Sequence, residues 1–246
     1  MGYHESLTEG RNAVLEAFRS GKTVDRLFVL DGCQDGPVKT ILREAKKQDT
    51  MVQYVKKERL DQLSETKNHQ GVIAYCAACE YAEVSDILEN AKKKGEAPFI
   101  VLLDGIEDPH NLGAIIRTAN QAGAHGVIIP KRRAVGLTAT VARTSAGAVN
   151  YTPVAKVTNL VTVMEDLKKE GMWFVCADMD GEEMYSLNLK GPIGLVIGNE
   201  GEGVSRLVKE HCDMVASIPM KGDIDSLYAS VAMGVLAYEI VRQRRF

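Results

Sequence analysis

The sequence lacks several things whose absence narrows what it does. No apolar run approaches the ~20 residues a membrane-spanning helix needs, so no membrane partner is expected. The opening "MGYHESLTEGRNAV" has no basic segment followed by an apolar one, so no secretory signal is read there. Met1-Gly2 with Ser6 fits an acylation pattern in form, with nothing else pointing to a lipid anchor. Five cysteines, Cys33, Cys76, Cys79, Cys176 and Cys212, are odd in number and scattered, which reads as reduced thiols of the cytoplasm. Cys76 and Cys79 form a lone CxxC inside "GVIAYCAACEY", without a second CxxC or an HxxxH, so packing rather than metal is expected and no metal is assigned. His4, His69, His125 and His211 have no ligand spacing. The formal charge of −3 announces no bulk polyanion binder, so any nucleic-acid contact has to be a local patch. Repeats and low-complexity tracts are missing too.

What is present is ordinary for a globular protein: 246 residues, 45% hydrophobic and 26% charged. Residues 1–80 read as a small α/β unit with 12 acidic and 12 basic residues. Its pattern is a helix in "GRNAVLEAFRSG", a strand "RLFVL", a helix "PVKTILREAKKQ", a strand "MVQYV", a short helix "KKERLDQLSE" and a strand "GVIAYCA". Residues 81–97 contain a polar helix from about Ser85 or Asp86 to Gly95 and are taken as a linker or an entry to a second domain. Lys92–Lys94 in it reads as a solvated face. From Pro98 onward continuous apolar strands ("FIVLLD", "GVIIP", "MWFVCAD", "IGLVIG") alternate with helices. That predicts an α/β fold whose largely parallel sheet is covered on both faces.

Open parallel sheets bind ligands beyond the carboxyl ends of their strands, and three loops qualify. The first, "DGIEDPHNLGAIIRTAN", carries Asn111 and Arg117; with a helix starting near Leu112, Arg117 falls in its second turn. An arginine among small and apolar residues needs a partner or an anion. The second, "GNEGEGVS", has Gly198, Gly201 and Gly203, which let main-chain amides approach a ligand. The glycines also fit a tight strand-to-helix turn, which explains Glu200 within it less easily, and the spacing is the reverse of a dinucleotide fingerprint, leaving a nicotinamide enzyme a distant reading. The third is "SIPMKGDIDSLYASVAMGVLAYE". Between the first two, Lys131, Arg132, Arg133 and Arg143 form the densest basic segment, with no acid from 109 to 164. This suits phosphate contacts.

Together the three loops resemble the signature motifs of the SpoU-type (TrmH) RNA ribose methyltransferases of the SPOUT superfamily. "EDPHNLGAIIRTANQAGAHGVIIPKRRAVGLTATVARTSAGA", "LVIGNEGEGVSRLVKEHCD" and "SIPMKGDIDSLYASVAMGVLAYE" carry the likeness, and "GRNAVLEAF" with "HQGVIAY" resembles the family's small RNA-binding domain. Within the family it is most similar to enzymes that methylate a guanosine ribose of 23S rRNA. The resemblance implies an N-terminal RNA substrate-binding domain (1–80), a methyltransferase domain (98–246) with a trefoil knot over about 190–246, and a homodimer. It implies methyl transfer from S-adenosylmethionine to a ribose 2′-hydroxyl. Asn111, Arg117, Glu200 and Ser226 match the motif residues at the reaction. Gly198, Ile218 and Leu227 match main-chain positions holding adenosine, with Asn199, Gly201, Tyr228 and Ala229 beside them. An arginine keeps its proton up to about pH 12, so Arg117 is read as a phosphate and alkoxide binder rather than a base. Glu200 is expected to orient Arg117 or Asn111. Tyr228 departs from the family, which has asparagine there. That leaves open an RNA-binding or assembly factor with impaired catalysis, and a tRNA methyltransferase is the other alternative.

Overall fold

A computed structural model describes residues 6–223 and 226–246. The acylation candidate Met1-Gly2 and His4 lie outside the described residues. The chain forms two compact units, residues 1–80 with 136–140, and residues 81–135 with 141–246.

The first unit is a four-stranded mixed sheet in the order β1-β4-β2-β3, made of β1 (Ser6–Glu9), β2 (Val24–Leu30), β3 (Met51–Val55) and β4 (Val72–Cys76). β4 runs antiparallel to β1 and β2, and β2 runs parallel to β3. Alternation along β2 divides its side chains between two cores. Leu27 and Val29 pack with Val14 and Phe18 of α1 (Arg11–Arg19) and with Val38 and Ile41 of α2 (Gly36–Lys47). Phe28 packs with Ile73 and with Leu60 of α3 (Lys57–Leu63), and Tyr75 meets its ring edge-on at 5.8 Å. Within this unit the strand not foreseen is β1, whose "SLTE" is short and polar. Cys76 is buried in this core and Cys79 is half-buried.

The second unit holds a six-stranded sheet in the order β10-β8-β9-β5-β6-β7, with every neighbouring pair parallel. Its strands are β5 (Phe99–Asp104), β6 (Gly126–Pro130), β7 (Val154–Val157), β8 (Trp173–Glu183), β9 (Ile193–Gly198) and β10 (Met214–Ser217). β9 is buried along its whole length, as a central parallel strand with helices on both faces must be. The helix α4 (Val84–Lys94) packs with this unit, burying Ile87 and Ala91, while Lys92–Lys94 face solvent. The remaining helices are α5 (Pro109–Gln121), α6 (Ala139–Thr144), α7 (Leu160–Lys169), α8 (Arg206–Glu210) and α9 (Ala229–Arg245). α5 begins three residues before the expected Leu112. Asp108 caps it by accepting from the backbone N–H groups of His110 and Asn111, both at 3.2 Å, and Pro109 takes the first helical position. Arg117 therefore lies in the third turn, not the second. α6, α8 and β7 were not anticipated: they are four to six residues long, too short to carry a periodic pattern.

Candidate functional site

The strand order positions the site. From β5 the chain moves outward to β6 and β7 on one side, while β9 lies on the other side of β5. The loops leaving β5 and β9 therefore diverge from adjacent carboxyl ends, which is where open α/β sheets form a ligand crevice.

Several bonds lock these two loops together. Asn199 donates from Nδ2 to Gly105 O (3.0 Å), and its Oδ1 accepts from Gly201 N–H (2.8 Å). The Ser205 N–H donates to Asp104 Oδ2 (2.8 Å). Asn199 and Gly203 exchange main-chain hydrogen bonds of 3.1 and 2.8 Å, so residues 200–202 form a tight outward turn. Gly198 is required at its base: a Cβ there would stand 2.1 Å from Gly203 C and 2.2 Å from Val204 N.

The turn presents Glu200 to α5 and α9. Asn111 Nδ2 donates to Glu200 Oε1 at 2.7 Å, and the Ala229 N–H reaches the same oxygen at 3.4 Å. Ser230 Oγ donates to Asn111 Oδ1 at 2.9 Å. The Asn111 carboxamide is thus held at both ends, with its orientation fixed by a carboxylate acceptor on one side and a hydroxyl donor on the other. Ser230 was not singled out in the sequence. A second serine in "SLYAS" was the available signal, but only the docking of α9 tells which serine meets Asn111. Ser226 is exposed in the preceding loop and makes no side-chain bond among the described residues.

Arg117 stands apart from this network. It is exposed on α5, six residues beyond Asn111 and hence about 9 Å along the axis. Among the described residues no carboxylate or carbonyl pairs with it. Glu200 engages Asn111 rather than Arg117. His110 is exposed at the start of α5. Tyr228 precedes α9 with its ring 73% exposed, and its carbonyl accepts from the Val231 and Ala232 N–H groups, both at 2.9 Å. Arg132, Arg133 and Arg143 are exposed and Lys131 is half-buried. Among the described residues there is no group of three or more His, Cys, Asp or Glu side chains that could hold a metal ion, and no helix is long and apolar enough to cross a membrane.

The end of β9 at Gly198 is buried, and Ile218 and Leu227 are half-buried in segments without regular structure. Ala229 beside them is buried and small.

Comparison with known proteins identifies the family. Residues 98–238 match the model of the SpoU rRNA Methylase family, and residues 7–82 match that of RNA 2'-O ribose methyltransferase substrate binding. A Bacillus subtilis protein named as a TrmH family tRNA/rRNA methyltransferase, YacO, is 48% identical over 237 residues, which is 96% of this chain and 94% of that protein. The SpoU methyltransferase AviRb of Streptomyces viridochromogenes, solved with AdoMet, shares 27% identity at a TM-score of 0.62, covering 98% of this chain and 91% of AviRb. An AdoMet-bound rRNA methyltransferase of Sinorhizobium meliloti shares 25% identity at a TM-score of 0.60, covering 96% and 86%.

Proposed function

The chain belongs to the SpoU methylase family of S-adenosylmethionine-dependent RNA methyltransferases, and from that premise we propose that it methylates a ribose 2′-hydroxyl of rRNA, at a guanosine of 23S rRNA. The observation that carries the ribose assignment is the pairing of Arg117, a guanidinium without a partner among the described residues, with a fixed polar network one and a half to two turns away on the same helix. A ribose hydroxyl is flanked by a phosphate, so a phosphate binder beside a hydroxyl-positioning group suits a sugar better than a base edge.

S-adenosylmethionine supplies an electrophilic methyl group when bound. Main-chain groups of Gly198, Ile218 and Leu227 hold its adenosine, and Asn199, Gly201, Tyr228 and Ala229 shape the surrounding wall. The chain's remaining task is to place and activate a hydroxyl. Arg117 grips the neighbouring phosphate and stabilises the charge that develops on the oxygen. A guanidinium does not give up its proton, so the hydroxyl proton passes to that phosphate or to solvent. Glu200 holds Asn111 in one orientation, and Ser226 hydrogen-bonds the reacting region. Lys131, Arg132, Arg133 and Arg143 hold the RNA backbone. The unit at 1–80 is the RNA substrate-binding domain, and the chain works in the cytoplasm as a homodimer with a trefoil knot over about 190–246. The likeness to the S. meliloti rRNA enzyme runs through both units, which favours rRNA over tRNA.

A second reading, an RNA-binding factor with impaired catalysis, is motivated by Tyr228. Its exposed ring and its main-chain role at the start of α9 favour retained activity instead. The test is methyl transfer by the purified protein to unmodified rRNA and tRNA, with the product mapped by mass spectrometry. We expect one new 2′-O-methyl nucleotide in 23S rRNA. A base methyl group would reject the ribose assignment, and a tRNA product would reject the rRNA one. Cofactor binding with no methyl transfer to any RNA would support the second reading.

A further inference from the structure

Tyr151 is 80% exposed, yet the backbone on both sides of it is tied down. α6 ends in a Schellman turn: Ala146 N–H donates to Arg143 O at 3.0 Å, and Gly147 N–H reaches Ala142 O at 3.4 Å. Ala146 and Gly147 are both left-handed, with φ of +50 and +84, which is costly for alanine. A single 3-10 turn follows (Ala148–Asn150), and Ala148 O accepts from the N–H groups of Tyr151 and Thr152, both at 3.0 Å. Thr152 is buried, and its Oγ1 accepts from Asn120 Nδ2 of α5 at 3.0 Å. The chain thus turns Thr152 inward onto α5 and leaves the tyrosine ring in solvent.

α5 connects this ring to Arg117. Gly113, Arg117 and Asn120 fall at i, i+4 and i+7, on one stripe of the helix. At one end of the stripe, a Cβ on Gly113 would stand 2.6 Å from Thr144 Cβ and 3.0 Å from Ser145 N, so only glycine lets segment 144–145 lie so close. At the other end, Asn120 holds Thr152. Arg117 stands between these two contacts, about 4.5 Å along the axis from Asn120. The segment that carries Tyr151 therefore runs along the side of α5 that bears Arg117.

We propose that Tyr151 is a stacking platform for an unpaired nucleobase of the RNA, adjoining the phosphate held by Arg117. Proteins that read unpaired RNA combine aromatic faces for the bases with cations for the backbone. Both are present on this side of α5: the exposed ring and the exposed Arg117, within the stretch from 109 to 164 that contains no acid. The exposed Arg117 on that helix side argues against a second copy of this chain covering the ring, because its like charge from each copy would have to be buried there. The inference rests on the reading of Arg117 as the phosphate binder, and deepens it by naming what holds the base.

The experiment compares wild type, Tyr151→Ala and Tyr151→Trp as full-length protein. Anisotropy of a fluorescein-labelled ten-residue oligouridylate gives binding, and methyl transfer to transcribed 23S rRNA and to tRNA gives KM and kcat. We expect Tyr151→Ala to weaken oligonucleotide binding and raise KM about tenfold. Cofactor affinity, kcat and solution mass should stay unchanged, and Tyr151→Trp should restore binding to within about twofold. Unaltered binding and KM in Tyr151→Ala would overturn the inference. So would a drop in solution mass, which would make the ring a subunit contact. A wild type that binds the oligonucleotide through Tyr151 but methylates no RNA would leave the stacking role standing and reject the activity alone.

Discussion

The two ends of the parallel sheet are built on opposite terms. At the amino end most of the polar groups are satisfied within the fold, the buried Arg244 Nε being left without a hydrogen-bond partner among the described residues. Arg244, near the end of α9, donates to Ala97 O and Pro98 O (both 2.9 Å) and to Gly191 O (2.6 Å), and its guanidinium lies 5.5 Å from the Phe99 ring centre. Beside it, the buried His125 accepts the Phe99 N–H on Nδ1 (3.0 Å) and reaches Glu96 from Nε2 (3.1 Å). Gln243 bridges Leu187 O and Leu189 N–H. At the carboxyl end Asn111, Glu200 and Ser230 fix one another, but Arg117 is left without a partner among the described residues. One helix, α9, reaches both ends, with Ser230 in the site and Arg244 at the far side. The contrast separates residues that keep the fold from residues held ready for something outside it.

That separation can be broken by mutation at either end. The largest effect is expected for Arg117→Ala: single-turnover RNA methylation should fall by about 10²- to 10³-fold, the scale for losing one charge-stabilising donor. Its urea midpoint should match wild type, because the side chain is exposed and makes no hydrogen bond or ion pair among the described residues. Near-normal methylation would remove Arg117 from the reaction.

At the amino end the pattern reverses. Arg244→Met should cost about 2 kcal/mol of stability, since three carbonyls lose charge-assisted donors, while kcat stays within about twofold of wild type on the same argument. Burial holds the Arg244 guanidinium below its ordinary range, with Glu96 opposing that shift. A loss of kcat without a loss of stability would erase the contrast between the two ends.

The smallest effect concerns pH. Burial, followed by the nearby Lys94, lowers the His125 pKa, and the bond to Glu96 only partly offsets this. A group with a lowered folded-state value takes up its proton less readily when folded. Its contribution is therefore present below the unfolded pKa of about 6.5 as a penalty on protonating the fold, and stability falls as pH drops through that range. Urea midpoints at pH 7.5 and 5.5 should show this fall, and His125→Asn, which keeps an acceptor for Phe99 N–H, should flatten it. An unchanged slope in the variant would assign the pH dependence to other groups.

Much of this was legible in the sequence. Continuous apolar runs announced β5 and β9, because strands covered on both faces need no polar alternation. Asp108 and Pro109 were present as start signals for α5, and reading them would have placed Arg117 in the third turn. The short elements were not legible. β1, β7, α6 and α8 exist because neighbours pair with them or pack on them, and four to six residues carry too little pattern of their own. β8 continues to Glu183, beyond the apolar "MWFVCAD", because β10 pairs again with Glu182 and Glu183 after an irregularity.

The sequence by itself determined the parallel α/β architecture, the glycine turn after β9, the acid-free basic stretch and the family motifs, since each depends on residues close together in the chain. Only the tertiary structure decided that Glu200 takes Asn111 and leaves Arg117 open, that Ser230 completes the Asn111 contacts, and that Tyr151 shares a helix side with Arg117. Those pairings join residues as far as 119 apart in the chain. They follow from β9 lying beside β5 and α9 packing on α5, and strand order and helix docking are set by the whole core rather than by any local stretch.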